Sequence, residues 1–206
     1  MEGEKTAPQE DQGLTFEQFR EDCLKCSLCD LRKGCRQVVF GDGSPQARLM
    51  LIGEGPGADE DRLGIPFVGR AGQLLDRILE VAQINRPEIY IANIVKCRPP
   101  ANRLPAPSEV EACLPHLKKQ IMLIDPEIIV CLGALATRTI IDKSAAITRA
   151  RGQWHRIDGR RVIATFHPAA LLRDPGKKKD VWADFKEIMK CYHANEKNSH
   201  NGGLSR

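Results

Sequence analysis

Four kinds of side chain in this chain have the types and spacing to do chemistry. Cys23, Cys26 and Cys29 make two overlapping C-x2-C steps, with Cys35 just beyond. Thiolates three residues apart can grip one metal centre from a single turn. Gly53-Glu54-Gly55-Pro56-Gly57 is a glycine-rich turn carrying one carboxylate and followed by Asp59, Glu60 and Asp61. Glycines let backbone come close to a ligand. Four carboxylates would repel a phosphate, and no Gly-Lys-Ser/Thr follows, so the turn suits a neutral polar group or a water rather than a nucleotide phosphate. Asn93 carries an amide that can read a donor and an acceptor on a planar ligand. His167 stands directly before Pro168, a place poorly suited to a core histidine. Each also has a bland reading: a solvated βα turn, a capped strand end, small buried thiols.

The elements that must position these groups follow from hydrophobic patterning. Leu49-Met50-Leu51-Ile52, Ile89 to Val95 and Ile128 to Leu132 are short apolar runs that read as buried strands. Val38-Val39-Phe40 reads as another short strand. Helices are expected over 14–24, with Thr15 and Gln18 as a capping box, over 69–83, and from Ser108, with Glu111 three residues on, to about 124. Another follows Gly133, and a last one runs over 181–192. Asp158-Gly159 between two β-rich runs predicts a two-residue hairpin turn, and Pro168 suits the first position of a helix. Residues 98–107 hold four prolines and predict a loop. The alternation implies an α/β fold: three layers, α/β/α, around a central, mostly parallel four-stranded sheet. Ligands of such sheets bind at the carboxyl ends of the strands, where Glu54, Asn93, Gly133 and His167 all fall. Phe67, in a Gly/Pro-bounded loop, would be core or would stack on a planar ligand.

Composition narrows the class. The chain has 206 residues, 42% hydrophobic and 28% charged, with net charge +4. One globular domain over 15–192 is expected, between a disordered leader (1–14) and a disordered tail (193–206). No apolar run is long enough for a membrane span and no signal-peptide core is evident, which predicts a cytoplasmic protein with no membrane partner. Eight cysteines in a reducing compartment favour metal or cluster ligation over disulfides. A zinc ribbon would want a second close pair. A cluster drawing two cysteines from one loop and two from elsewhere, Cys97 and Cys113 among the candidates, stays open. Cys131 reads as core and Cys191 as incidental.

Gly53-Glu54-Gly55-Pro56-Gly57, Pro66-Phe67-Val68-Gly69, the run Asn93 to Pro100 and the run His167 to Arg173 together resemble the family 4 uracil-DNA glycosylases, the Fe–S members of that superfamily. The likeness spans about 26–190. It implies a [4Fe-4S] cluster on Cys26, Cys29, Cys97 and Cys113 that shapes a DNA-facing loop. It implies monofunctional hydrolysis of uracil from single- and double-stranded DNA by a monomer. Phe67 would stack on the flipped base, Asn93 would read its polar edge, and Gly53 and Gly55 would line the pocket. His167 would stabilise the departing uracil, and Glu54 or Glu60 would position water. Leu171 or Leu172 would fill the gap in the DNA, and Arg149, Arg151, Arg173 and Lys177 to Lys179 would contact phosphates. Ala170 departs from the tyrosine of several relatives, and the proline-rich loop replaces the basic insertion of covalently trapping ones. Rival readings are a non-catalytic Fe–S module, which predicts indifference to His167→Ala, and a nucleotide-binding protein.

Overall fold

The structure, a computed structural model, describes residues 13–194. Most of the leader and tail expected from the sequence therefore lies outside the described residues. Along the chain run α1 (Phe16–Leu24), α2 (Leu31–Gly34), β1 (Asp42–Gly43), β2 (Leu49–Gly53), α3 (Ala58–Leu63), α4 (Arg70–Val81), β3 (Tyr90–Asn93), α5 (Pro107–Ile124), β4 (Ile128–Leu132), α6 (Ala134–Ile140), α7 (Ile147–Ala150), β5 (Trp154–Ile157), β6 (Arg160–Thr165), α8 (Pro168–Arg173) and α9 (Lys178–Ala194).

The six strands lie in the order β1-β3-β2-β4-β6-β5. The inner four, β3, β2, β4 and β6, are parallel. Both outer strands pair antiparallel, so the sheet is mixed and six-stranded rather than four-stranded. Two things enlarge it. Arg156 and Ile157 of the hairpin pair back onto β6. Asp42–Gly43 forms a short edge on β3, whereas Val38-Val39-Phe40, expected as a strand, is buried extended chain whose Val39 N–H donates to the Lys96 carbonyl (2.7 Å). The turn at Asp158 (φ 47°) and Gly159 (φ 80°) has the two left-handed residues of a type I′ hairpin, as Asp-Gly predicts.

Side chains alternate across a strand, so each inner strand feeds two cores. Met50, Ile52, Ala92, Ile129, Cys131 and Ala164 face a cluster that includes Phe19 of α1 and Leu117 of α5. Leu49, Leu51, Ile91, Val130, Leu132 and Ile163 face Leu75 and Leu79 of α4 and Phe185 and Ile188 of α9. This is the three-layer arrangement expected.

Local differences have simple causes. The acidic run after the glycine turn is a helix, α3, with Asp59, Glu60 and Asp61 in its first turn, where the helix dipole favours carboxylates. α5 begins two residues earlier than Ser108 as cap would give: Ala106 is the N-cap, Pro107 takes the first turn, and it is Glu109 that accepts from the Ala106 N–H (2.7 Å). The register sets Gly53 beside Asn93 and Leu132 beside Thr165, so the four inner strands end together.

Candidate active site and thiol region

Those strand ends open onto a cleft of about 850 Å³, whose lining includes Glu54, Phe67, Asn93, Gly133 and His167. All four groups expected at strand ends thus share one cavity, together with Phe67. Its size is within the range of small-molecule sites.

Gly53 is what lets them meet. A Cβ there would lie 2.4 Å from Asn93 Oδ1 and 2.7 Å from the Phe67 ring. At Gly55 a Cβ would lie 2.7 Å from the Val95 side chain. Asn93 is 2% exposed, and its Oδ1 accepts no hydrogen bond from the described residues. A buried carbonyl oxygen without a donor costs stability, so this atom is free to accept from a ligand in the cleft. Phe67 is buried and its ring lies 5.3 Å from that of His167, tilted 31°.

His167 caps the N-terminus of α8. Its Nδ1 accepts from the Ala169 N–H at 3.1 Å. That bond puts the ring proton on Nε2, which is left as a donor. Enclosure of the ring pushes its pKa down to about 4, helped by the Arg173 charge and opposed by Glu60. The imidazole is therefore neutral at physiological pH.

The two carboxylates differ. Glu54 is half-buried and lines the cleft. Burial raises its pKa, while Arg138 and Arg173 pull it back. Glu60 spends its oxygens on backbone: Oε1 accepts from Val68 N–H and Gly69 N–H (2.9 Å each), and Oε2 accepts from Gly57 N–H (3.1 Å). It clamps the glycine turn to the Phe67 loop.

The DNA-facing candidates also separate. Leu171 is 2% exposed and packs in the second core, so it is no surface wedge; Leu172, 42% exposed, lines the cleft. Neighbours in a helix point about 100° apart, and only one can face out. Arg151 is turned inward, pairing with buried Asp184 (2.7 Å), which also accepts from Thr165 Oγ1 (2.6 Å), so it acts as a strut rather than a phosphate contact. Arg149 and Arg173 are exposed, and Arg173 and Lys177 line the cleft. Sequence reasoning missed the rim formed by Asn102, Arg103, Leu104 and Pro105. It also missed Arg138 and Arg86, since single arginines outside any motif carry no sequence signal.

The first core also holds a thiol region. Cys97 and Cys113 are buried, and Cys26 and Cys29 are half-buried. The Lys96 N–H points to Cys113 Sγ (3.3 Å), and His116 Nε2 lies 3.2 Å from Cys26 Sγ. Burial pushes the Cys97 thiol up, and Cys35, Cys113 and Cys29 add to the effect. Cys113 is raised by burial too, and feels Cys29 and Cys26. Cys23 is pushed up to about 12, chiefly by burial. The thiol of Cys131, inside β4, is raised by burial alone, as befits a core residue. Among the described residues no group of three or more His, Cys, Asp or Glu is arranged to hold a metal ion. The donor set nonetheless suits a soft metal centre: only sulfur, from separate segments of chain that sense one another.

A family model described as the uracil DNA glycosylase superfamily matches residues 40–186. Curated relatives include a type-4 uracil-DNA glycosylase of Thermotoga maritima, 47% identical over 158 residues, covering 75% of this chain and 81% of the relative. Those of Sulfurisphaera tokodaii and Archaeoglobus fulgidus are 40% and 41% identical, covering 84% and 81% of this chain and 83% and 88% of their own.

Proposed function

The chain belongs to the uracil-DNA glycosylase superfamily and to its type-4 family, and from that premise we propose that it flips uracil out of DNA and hydrolyses the N-glycosidic bond. The observation that carries the reading is the unpartnered Oδ1 of Asn93, buried at the floor of a cleft that also holds Glu54, Phe67 and His167.

The base must leave the stack to reach such a cleft. Uracil offers N3–H as a donor and O4 as an acceptor. Asn93 answers with Oδ1 as acceptor and Nδ2 as donor. Cytosine reverses that pattern and would leave Oδ1 facing a lone pair. Phe67 stacks on the base, and Gly53 and Gly55 keep the floor clear of side chains.

Cleavage breaks the bond between C1′ and N1, and the bonding electrons leave with uracil. The negative charge spreads to O2, where a neutral Nε2–H donor stabilises it as it forms. His167 has that tautomer fixed by its Nδ1 bond. Water adds its oxygen to C1′ and gives up a proton, which balances the uracil anion, so the products are free uracil and an abasic sugar. Glu54 orients this water and faces the cationic sugar; Glu60, with three backbone amides on it, supports the loops instead. Leu172 fills the gap in the DNA, and Arg149, Arg173 and Lys177 to Lys179 meet phosphates on single- or double-stranded substrate. The protein acts as a monomer. No described helix is long and apolar enough to cross a membrane.

Cys26, Cys29, Cys97 and Cys113 would hold a [4Fe-4S] cluster. Bound there, it would supply iron–thiolate bonds that fix the segment between Cys97 and Cys113, which contributes the Asn102–Pro105 rim of the cleft. The test is release of free uracil from labelled oligonucleotides by iron-loaded protein. Uracil-containing single and double strands should yield alkali-labile abasic sites, without strand breakage before alkali. Intact uracil strands after prolonged incubation would overturn the proposal.

A further inference from the structure

Phe67 has a left-handed backbone, φ 53°, that bulky L-residues seldom adopt. Something must hold that backbone, and with it the ring that packs beside His167. Three contacts do so. Gly72 of α4 clears the way: a Cβ there would sit 1.9 Å from the Phe67 carbonyl oxygen. Glu60 takes the amides of Val68 and Gly69 on one side. On the other, Arg86 donates from Nη2 to the Pro66 carbonyl (2.7 Å) and from Nη1 to the Phe67 carbonyl (3.3 Å). The same guanidinium pairs with Asp76 of α4 (2.6 Å) and lies 3.9 Å from Asp42 of β1. Arg86 follows α4 and is not part of the cleft lining.

We infer that Arg86 is a positioning residue for base recognition: it fixes the Pro66–Phe67 carbonyls so that the Phe67 ring is set before the base arrives. The inference rests on the glycosylase reading for its kinetic part. A planar fork tied to two carboxylates can span adjacent carbonyls, which a lysine head would do less well. Stacking acts on the bound base before and during bond cleavage alike, so its loss raises KM and leaves kcat nearly unchanged.

The test compares wild type, Arg86→Met, Arg86→Lys, Phe67→Ala and the Arg86→Met/Phe67→Ala double variant. Arg86→Met should raise KM about tenfold, the order of one lost base–aromatic stack. Arg86→Lys should recover part of this. In the Phe67→Ala background Arg86→Met should change KM less than twofold, because its effect passes through the missing ring. Additive KM effects, or a loss confined to melting temperature with KM unchanged, would overturn the inference. Amide exchange at Val68 and Gly69, measured without DNA, should quicken in Arg86→Met. Unchanged exchange overturns the inference even if uracil is released. Faster exchange with no uracil release from the wild type would support the holding role and strike the functional reading alone.

Discussion

The cleft and the thiol region lie at the two ends of one short segment, Asn93 to Cys97, yet they are ordered in opposite ways. In the cleft the key groups are set by contacts and spaces within the protein itself. His167 is fixed by an amide on Nδ1, the Phe67 loop by Glu60 and Arg86, and Asn93 by the space Gly53 leaves. Among the thiols, burial favours the protonated form, and no described group is arranged to hold a metal. A preorganised site binds without first reordering itself, whereas under the proposed cluster ligation thiols that must lose protons would take their final order from the metal. Lys96 joins the two regions. It is 1% exposed, its Nζ donates to the Asn93 carbonyl (2.9 Å) and Gln120 (2.5 Å), and its N–H points to Cys113.

The largest effect should come from the thiol region, if it holds the proposed cluster. Cys97→Ser and Cys113→Ser should lose nearly all bound iron, read by iron analysis and visible absorbance, while Cys131→Ser keeps it. Equal loss in all three would erase the distinction between ligand and core thiols.

Next comes base reading. Asn93→Asp replaces the Nδ2 donor with an acceptor facing uracil O4. Excision of uracil should fall about 10²-fold, in line with a buried polar group left mispaired. Activity on cytosine-containing strands should rise relative to uracil. An unchanged uracil-to-cytosine ratio would show that Asn93 does not read the base.

Smaller effects should divide Leu171 from Leu172. Leu171→Ala removes a buried side chain and should cost roughly 2–5 kcal/mol of stability by chemical denaturation. Leu172→Ala should leave stability within about 0.5 kcal/mol and raise KM more on duplex than on single strands. A reversed pattern would mean that α8 is turned the other way when DNA is bound.

Much of this comparison was legible beforehand because it rests on local signals. Apolar runs over Leu49 to Ile52, Ile89 to Val95 and Ile128 to Leu132, and a histidine before proline after another run, place Glu54, Asn93, Gly133 and His167 at or near strand ends without any coordinates, although β3 stops at Asn93 rather than Val95. The Asp158-Gly159 turn needs only backbone preferences. What escaped depends on partners far away in sequence. Glu60 looks like one more acid until the loop at 68–69 folds onto it. Arg151 looks like a phosphate contact until Asp184, 33 residues on, draws it inward. α3 is six residues long, too short for a helical period to stand out from its charge. The choice between Leu171 and Leu172 needed the packing of α8, and Val38-Val39-Phe40 has strand composition but lies over the core without joining the sheet.

The account turns on a neutral His167 donating from Nε2 to the departing base. Single-turnover release of uracil from a single-stranded oligonucleotide, followed from pH 5 to pH 8 for iron-loaded wild type, His167→Ala and Glu54→Gln, tests this directly. With the folded pKa lowered to about 4, His167 stays neutral as pH falls through the 6.5 of a free imidazole. The rate should therefore show no His167-dependent break near 6.5. Any acid limb should be shared by His167→Ala and absent from Glu54→Gln, whose carboxyl in the wild type is raised by burial. His167→Ala should be about 10²–10³-fold slower throughout. Equal rates for wild type and His167→Ala, or a wild-type rate that drops below pH 6.5 only when His167 is present, would contradict it.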